Sequence, residues 1–186
     1  MKILMVALLA ALPCAAQGPF GQKNSDYYKK SLAPYVVSPQ QIVDKMLEAA
    51  SLKPGETVYD LGCGDGRVLI TAAQRYRAKA VGVELSPSVA KSAEDNVKRF
   101  NLQNDVKVIQ GDLMAVNLAP ADVVTIYLET ASNDLLRPNL EKYLRPGARV
   151  ISYEFPVPGW KVKHVEKISA YNRTHQIFVY VMPPGK

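Results

Sequence analysis

The chain reads as an α/β protein: a mostly parallel seven-stranded sheet with a carboxyl-terminal antiparallel hairpin and helices on both faces. Three observations predict this. Short apolar runs at residues 58–61, 79–84, 106–110, 122–128 and 149–153 alternate with helical patterns. A glycine turn, Gly62, Gly64 and Gly66, joins the first run to the helix after it. Two last segments, Val162–Tyr171 and Gln176–Met182, flank Asn172-Arg173-Thr174 as a closing hairpin. Strands separated by helices pair in parallel, and a terminal hairpin adds an antiparallel edge.

Three domain segments are expected: 1–16, 17–37 and 38–183. Lys2, the apolar stretch Ile3–Leu12 and Cys14-Ala15-Ala16 form a signal-peptide-like leader, and ten apolar residues are too few to span a bilayer as a helix. Pro13 argues against lipoprotein processing at Cys14. Residues 17–37 are polar, with Gly18, Gly21 and Pro34, and read as a linker or arm. Ser38, Pro39 and Gln41 predict a helix start with a capping box, and Ile42, Val43, Met46, Leu47 and Ala50 share its buried face. Lys53-Pro54-Gly55-Glu56 turns into the first strand, and Arg67–Arg77 is the first crossover helix. Ser86-Pro87 starts the next helix, with Val89, Ala93, Val97 and Phe100 inward. Asn133–Leu144 is helical in pattern, and Pro138 is expected to kink or divide it. Arg145-Pro146-Gly147 leads into the fifth strand.

The 186 residues suit one folded domain, and 48% hydrophobic content is ordinary for a globular protein. Cys14 and Cys63 are the two cysteines, which excludes a disulfide framework and a cysteine-rich metal site. Cys63 reads as a small residue filling the glycine turn rather than as a nucleophile. The formal charge of +6, or +5 without Lys2, is scattered, with no run dense enough for a nucleic-acid arm. His164 and His175 lack companion metal ligands and read as surface or satisfied core residues. No metal is expected.

Chemistry is concentrated in Val58-Tyr-Asp-Leu-Gly-Cys-Gly-Asp-Gly-Arg67. A strand, glycine turn, helix and second strand ending in an acid can hold a nucleoside-containing cofactor. Dinucleotide sites favour G-x-G-x-x-G, whereas this chain has D-x-G-x-G-x-G, with Asp60 two residues before Gly62. Glu84 closes the second strand 18 residues after Gly66, and Gly111-Asp112-Leu113 follows the third. The set resembles motif I and the later motifs of class I S-adenosylmethionine-dependent methyltransferases, which have a Rossmann-like fold. The resemblance implies S-adenosyl-L-methionine as cofactor, with Asp60, Gly62, Gly64 and Gly66 around its methionine part. It also implies Glu84 on the ribose hydroxyls and Asp112 and Leu113 at the adenine. Competing readings are a turn cap for Asp60 and a turn start for Asp112.

Pro34-Tyr-Val-Val-Ser-Pro39, Asp60–Arg67 and Phe155-Pro-Val-Pro-Gly-Trp160 narrow the resemblance. Together they are similar to the small lysine methyltransferases of the adenine nucleotide translocase and the ATP synthase c subunit, and to their prokaryotic relatives. The resemblance covers roughly residues 34–182 and implies a protein-lysine acceptor, with a protein substrate that can be membrane-associated. The strand-four exit, Thr125-Ile-Tyr-Leu-Glu129, departs from the mitochondrial pattern. A lysine must be neutral to attack. With a reference pKa of about 10.4, deprotonation at pH 7 costs roughly 4.6 kcal/mol. An adjacent sulfonium and partial desolvation lower that pKa, so a dedicated base is optional. Tyr127 and Glu129 are the candidates for orienting the acceptor, and Tyr35 for closing over the cofactor.

Other acceptors fit less well. The strand-four exit lacks the Asn/Asp-Pro-Pro-aromatic pattern of amino-methylating nucleic-acid enzymes, and no Pro-Cys nucleophile serves cytosine chemistry. A small-molecule N- or O-methyltransferase is the enzyme alternative. An NAD-linked oxidoreductase has the wrong glycine spacing, and an exported non-catalytic protein with the same fold is the last alternative. The leader favours export or envelope association. Because S-adenosylmethionine is a cytosolic cofactor, its supply favours retention as an inner-membrane-tethered or cytoplasmic enzyme, or a misassigned start.

Overall fold

The computed structural model describes residues 31–183. The leader, Cys14 and most of the expected arm lie outside the described residues. Helices α1 (Gln40–Ala49), α2 (Arg67–Tyr76), α3 (Pro87–Arg99) and α4 (Thr130–Tyr143) surround strands β1 (Thr57–Leu61), β2 (Lys79–Glu84), β3 (Val106–Gln110), β4 (Val123–Ile126), β5 (Arg149–Tyr153), β6 (His164–Ala170) and β7 (Arg173–Val181). One seven-stranded sheet has the order β3-β2-β1-β4-β5-β7-β6. The first five strands pair in parallel, while β7 runs antiparallel to both β5 and β6.

Both faces of the sheet are covered, so strand side chains feed two cores in alternation. Val58, Val123 and Ile151 join the helix residues Ile42, Leu47, Leu69 and Val97 on one face. Tyr59, Val124 and Val150 join Leu136 and Leu140 of α4 on the other. At the amino-terminal edge of the sheet, Arg149 holds Glu56 through two bonds of 3.0 and 2.6 Å, which ties the start of β5 to the start of β1. Although partial burial pushes it up, Arg149 and the Lys53 N–H hold the Glu56 carboxyl below its ordinary range.

Local signals were less dependable than the apolar pattern. The capping box at Ser38 does not form: Pro39, at φ −58 and ψ 144, is itself the cap, and no side chain bonds to the first turn. The extended Pro39 moves the helix start one residue on, and its carbonyl receives the N–H groups of Ile42 and Val43. On α3 the buried residues are Ala90, Ala93 and Val97. Phe100 is exposed, its ring 5.4 Å from the Arg99 guanidinium carbon. Pro138 does not divide α4, which starts earlier than expected at Thr130. The carbonyl that loses its partner belongs to Asp134, an exposed residue on the solvent side of the helix, where the loss is tolerated. The hairpin turn is only Tyr171-Asn172, both at positive φ (49 and 61), so Arg173 and Thr174 already pair in the ladder. Two consecutive positive φ values are what a tight right-twisting hairpin requires.

Candidate active site

Chain order reverses across β1: β2 and β3 lie on one side of it, β4 and β5 on the other. Open α/β sheets bind ligands outside the carboxyl ends of the strands at such a switch point. A pocket lies there, lined by Asp60 near the end of β1 and Gly62 just after it, Glu84 at the end of β2, Asp112 and Leu113 after β3, and Tyr127 after β4.

The glycine turn is held by backbone and carboxylate bonds. Gly62 and Cys63 N–H groups both donate to the Val83 carbonyl, at 2.8 and 3.0 Å, so the turn folds against the end of β2. Gly62, Gly64 and Gly66 all have positive φ. Glu84, nearly buried, accepts the Gly64 N–H at 3.1 Å and the Ser86 N–H at 2.9 Å, one on each oxygen. The ribose candidate therefore also fixes the turn. Gly82 in β2 leaves room beneath it: a Cβ there would stand 2.5 Å from Leu69 Cδ1 and 2.6 Å from Cys63 Sγ. Burial pushes the Cys63 thiol up, leaving no reactive thiolate near neutrality.

Asp60 is buried and accepts the Thr125 hydroxyl at 2.6 Å. Burial lifts its carboxyl from 3.8 to about 7, with the Thr125 bond opposing and the charges of Glu84 and Asp65 adding to the rise. The nearby cation, Arg67, is engaged by Asp65 (2.7 Å) and the Ser38 carbonyl (2.7 Å). Asp60, Glu84 and Asp112 thus face one pocket whose nearby cation is already paired with Asp65, which suits a ligand carrying positive charge beside ribose hydroxyls. Asp112 accepts the Met114 N–H at 2.9 Å and caps the short 3-10 turn Leu113–Ala115. That cap uses one oxygen while the residue still lines the pocket.

Residues 31–38 form a strap that is part of the pocket wall. The Ser132 hydroxyl of α4 donates to the Leu32 carbonyl at one end, and Arg67 of α2 holds Ser38 at the other. Between them the Tyr35 ring lies over the turn, 2.9 Å from where a Cβ on Gly64 would stand. A side chain at Gly64 would displace Tyr35. Burial and the charges of Asp65 and Glu84 raise the Tyr35 phenol, with Arg67 opposing.

Eight of the expected residues, Tyr35, Asp60, Gly62, Gly64, Glu84, Asp112, Leu113 and Tyr127, line this one pocket. Gly66 lies just behind it as the cap of α2, with φ 81 and a Cβ position 3.4 Å from Ala93. Glu129 is not brought to it: the residue is exposed and precedes α4 without a side-chain cap bond. Sequence reading missed Thr125, Arg67 and Ser132, because each acts through a partner distant in the chain. His175, read from the sequence as a surface or satisfied core residue, is buried on β7, and its partners were not foreseen. The Nδ1 of His175 lies 2.7 Å from the Tyr153 hydroxyl and 2.9 Å from Glu154, whereas Nε2 has no hydrogen-bond partner among the described residues. The period-two pattern of β7, with Ile177 and Val179 inward, places residue 175 on that same buried face.

Comparison with known proteins fits this site. A family model described as the ANTKMT methyltransferase domain matches residues 60–164. A protein-lysine N-methyltransferase of Saccharolobus islandicus is 41% identical over 82% of this chain and 96% of its own length. The adenine nucleotide translocase lysine N-methyltransferase of mouse is 34% identical over 69% of this chain, which spans 56% of that protein. Among solved structures, an RNA methyltransferase from Salinibacter ruber with bound S-adenosyl-L-homocysteine has a TM-score of 0.75 and 34% identity, covering 81% of this chain and 96% of that one.

Proposed function

We infer from its family that this chain methylates lysine side chains of proteins: it belongs to the family of the ANTKMT methyltransferase domain and is an S-adenosylmethionine-dependent methyltransferase. The observation that carries the lysine acceptor is the 41% identity to a protein-lysine N-methyltransferase along almost its entire length. When bound, S-adenosylmethionine supplies a methyl group on a sulfonium sulfur, which an amine displaces in line.

The residues of the chain do the remaining work by alignment. Asp60 meets positive charge at the methionine end, and Glu84 receives ribose hydroxyls while holding the Gly64 N–H in place. Asp112 and Leu113 face the adenine, and Tyr35 covers the turn. Tyr127 stands where the acceptor enters, its ring 4.4 Å from that of Tyr153. The acceptor is then a protein lysine, and a membrane-associated protein is the finer reading we favour, by analogy with the translocase enzyme. The enzyme works on the side of the membrane that holds S-adenosylmethionine, with its leader retained as a tether. No helix among the described residues is long and apolar enough to cross a membrane.

The Salinibacter relative favours a second reading, an RNA acceptor. One experiment separates the two. The full chain is incubated with tritiated S-adenosylmethionine and either membrane protein, soluble protein or total RNA. Label in protein, recovered as methyl-lysine on hydrolysis, supports the proposal. Label in RNA alone replaces it with the second reading.

A further inference from the structure

The turn after β5 carries more order than a connection requires. Glu154 sits at φ 64, and Phe155 N–H donates to the Tyr153 carbonyl at 2.8 Å, a three-residue turn of the rarer positive-φ form. Such strain persists only where neighbours over-determine it, and it clusters at working sites. Here Asn133 donates to the Phe155 and Pro156 carbonyls at 3.0 and 3.2 Å, and Glu154 N–H donates to the Gln176 carbonyl at 2.8 Å.

The Glu154 side chain holds a second set of bonds. Its Oε1 accepts from Arg173 at 3.0 Å and lies 2.9 Å from His175 Nδ1, which also lies 2.7 Å from the Tyr153 hydroxyl. An unprotonated Nδ1 would set a lone pair against the carboxylate. The proton therefore sits on Nδ1 and is shared between Glu154 and the Tyr153 oxygen. The Tyr153 ring, buried, packs at 4.4 Å on Tyr127, whose ring stacks on Phe155 at 6.3 Å and 22°. An unbroken line of contacts runs from the exposed Arg173 through Glu154, His175 and Tyr153 to a ring lining the pocket.

We infer that Glu154, His175 and Tyr153 are positioning residues that fix Tyr127, with Phe155 stacked behind it, as the ring against which the acceptor amine is aligned. This rests on the methyltransferase reading above. In-line displacement tolerates little misplacement, and a tyrosine at a strand exit holds one rotamer only if the residue behind it does. The cofactor contacts at Asp60, Glu84 and Asp112 lie on other strands and do not depend on this line.

The test uses the full chain with 3-fluorotyrosine at position 127 and three variants: Glu154→Gln, His175→Asn and His175→Phe. The acceptor probe is casein, a lysine-bearing unfolded protein. The fluorine spectrum of the parent is expected to be one narrow line, and Glu154→Gln and His175→Phe to broaden or split it. Both should lower kcat at least tenfold and change the KM for casein less than threefold, while S-adenosylmethionine affinity stays within twofold. Asparagine puts an amide N–H near the Nδ1 position, so His175→Asn should keep the single line and at least a third of kcat. An unchanged line in Glu154→Gln and His175→Phe overturns the inference. So does a loss of cofactor binding in proportion to kcat, which marks a general structural role. If the parent chain binds cofactor yet leaves casein unlabelled, the kinetic readout moves to the membrane protein labelled in the first assay, and the fluorine line decides the positioning either way.

Discussion

Asp60 shows how a single residue can serve a ligand at the expense of the fold. Its folded-state carboxyl titrates at about 7 against an ordinary 3.8, so folding takes up a proton between those values. Stability from this group is present at low pH, declines as pH rises through that window, and is fully lost above 7, a penalty of roughly 4 kcal/mol. Asp60→Asn removes the charge and keeps an acceptor for Thr125. At pH 8 the variant is expected to melt higher by about 4–8 °C even if only half the penalty is recovered, and to show no gain at pH 4. Cofactor affinity should move the other way. A cationic ligand pairs with ionised Asp60, so the parent's affinity for S-adenosylmethionine falls by up to about tenfold per pH unit below 7. Calorimetric titrations from pH 8 to 5.5 read this directly, and a flat affinity would show that Asp60 does not meet the ligand's charge. The motif spacing already pointed to Asp60 at sequence level. Its raised titration was hidden, because it depends on burial and on the charges of Glu84 and Asp65, opposed by a bond from Thr125, 65 residues away.

At the scale of elements, the turn between β1 and α2 is where packing and ligand cradle coincide. Gly82 sits under it in β2, and an alanine there would push on Cys63 and Leu69 together. Overpacking of this kind costs about 1–3 kcal/mol, so Gly82→Ala should lower the urea midpoint without changing the m-value. An unshifted midpoint would mean that the turn yields freely. Strands 79–84 and 149–153 were legible from their largely apolar, covered interiors, and the edge strand 106–110, where only Val106 is buried, from its β-branched residues. Helix ends were not. Ser38 and Gln41 spell a capping box, but the extended Pro39 and the pull of Arg67 on the Ser38 carbonyl use the same backbone differently. The segment expected as a linker likewise supplies a pocket wall at residues 31–37, through bonds to Ser132 and Arg67 that no local pattern announces. Releasing one end by Arg67→Ala, or the cover by Tyr35→Ala, should speed cofactor dissociation on the order of tenfold. Stopped-flow displacement measures it, and an unchanged rate in both variants would make the strap a bystander.

For the molecule as a whole, alternation of strands and helices predicted a parallel sheet with an antiparallel edge, and that is the sheet found. Strand order could not be read the same way, since β1–β4 pairing joins segments about 65 residues apart and leaves no local trace. That pairing creates the switch point, so it also decides which acids meet. Asp60, Glu84 and Asp112 leave three adjacent strands, while Tyr35 and Tyr127 close the pocket from the strap and from β4. A ligand seated there touches elements rooted in both cores, so its binding energy is felt by the whole domain and not by one loop. S-Adenosylhomocysteine at 100 times its dissociation constant should stabilise the fold by about 2.7 kcal/mol. For a chain of this size that raises the melting temperature by roughly 5–11 °C. Calorimetry should show one transition that moves as a unit. If the ligand instead splits the melt, leaving the β6–β7 hairpin at its original temperature, then that antiparallel edge unfolds independently. The line of contacts from Glu154 to Tyr127 would then be coupled to the pocket only while the hairpin is folded.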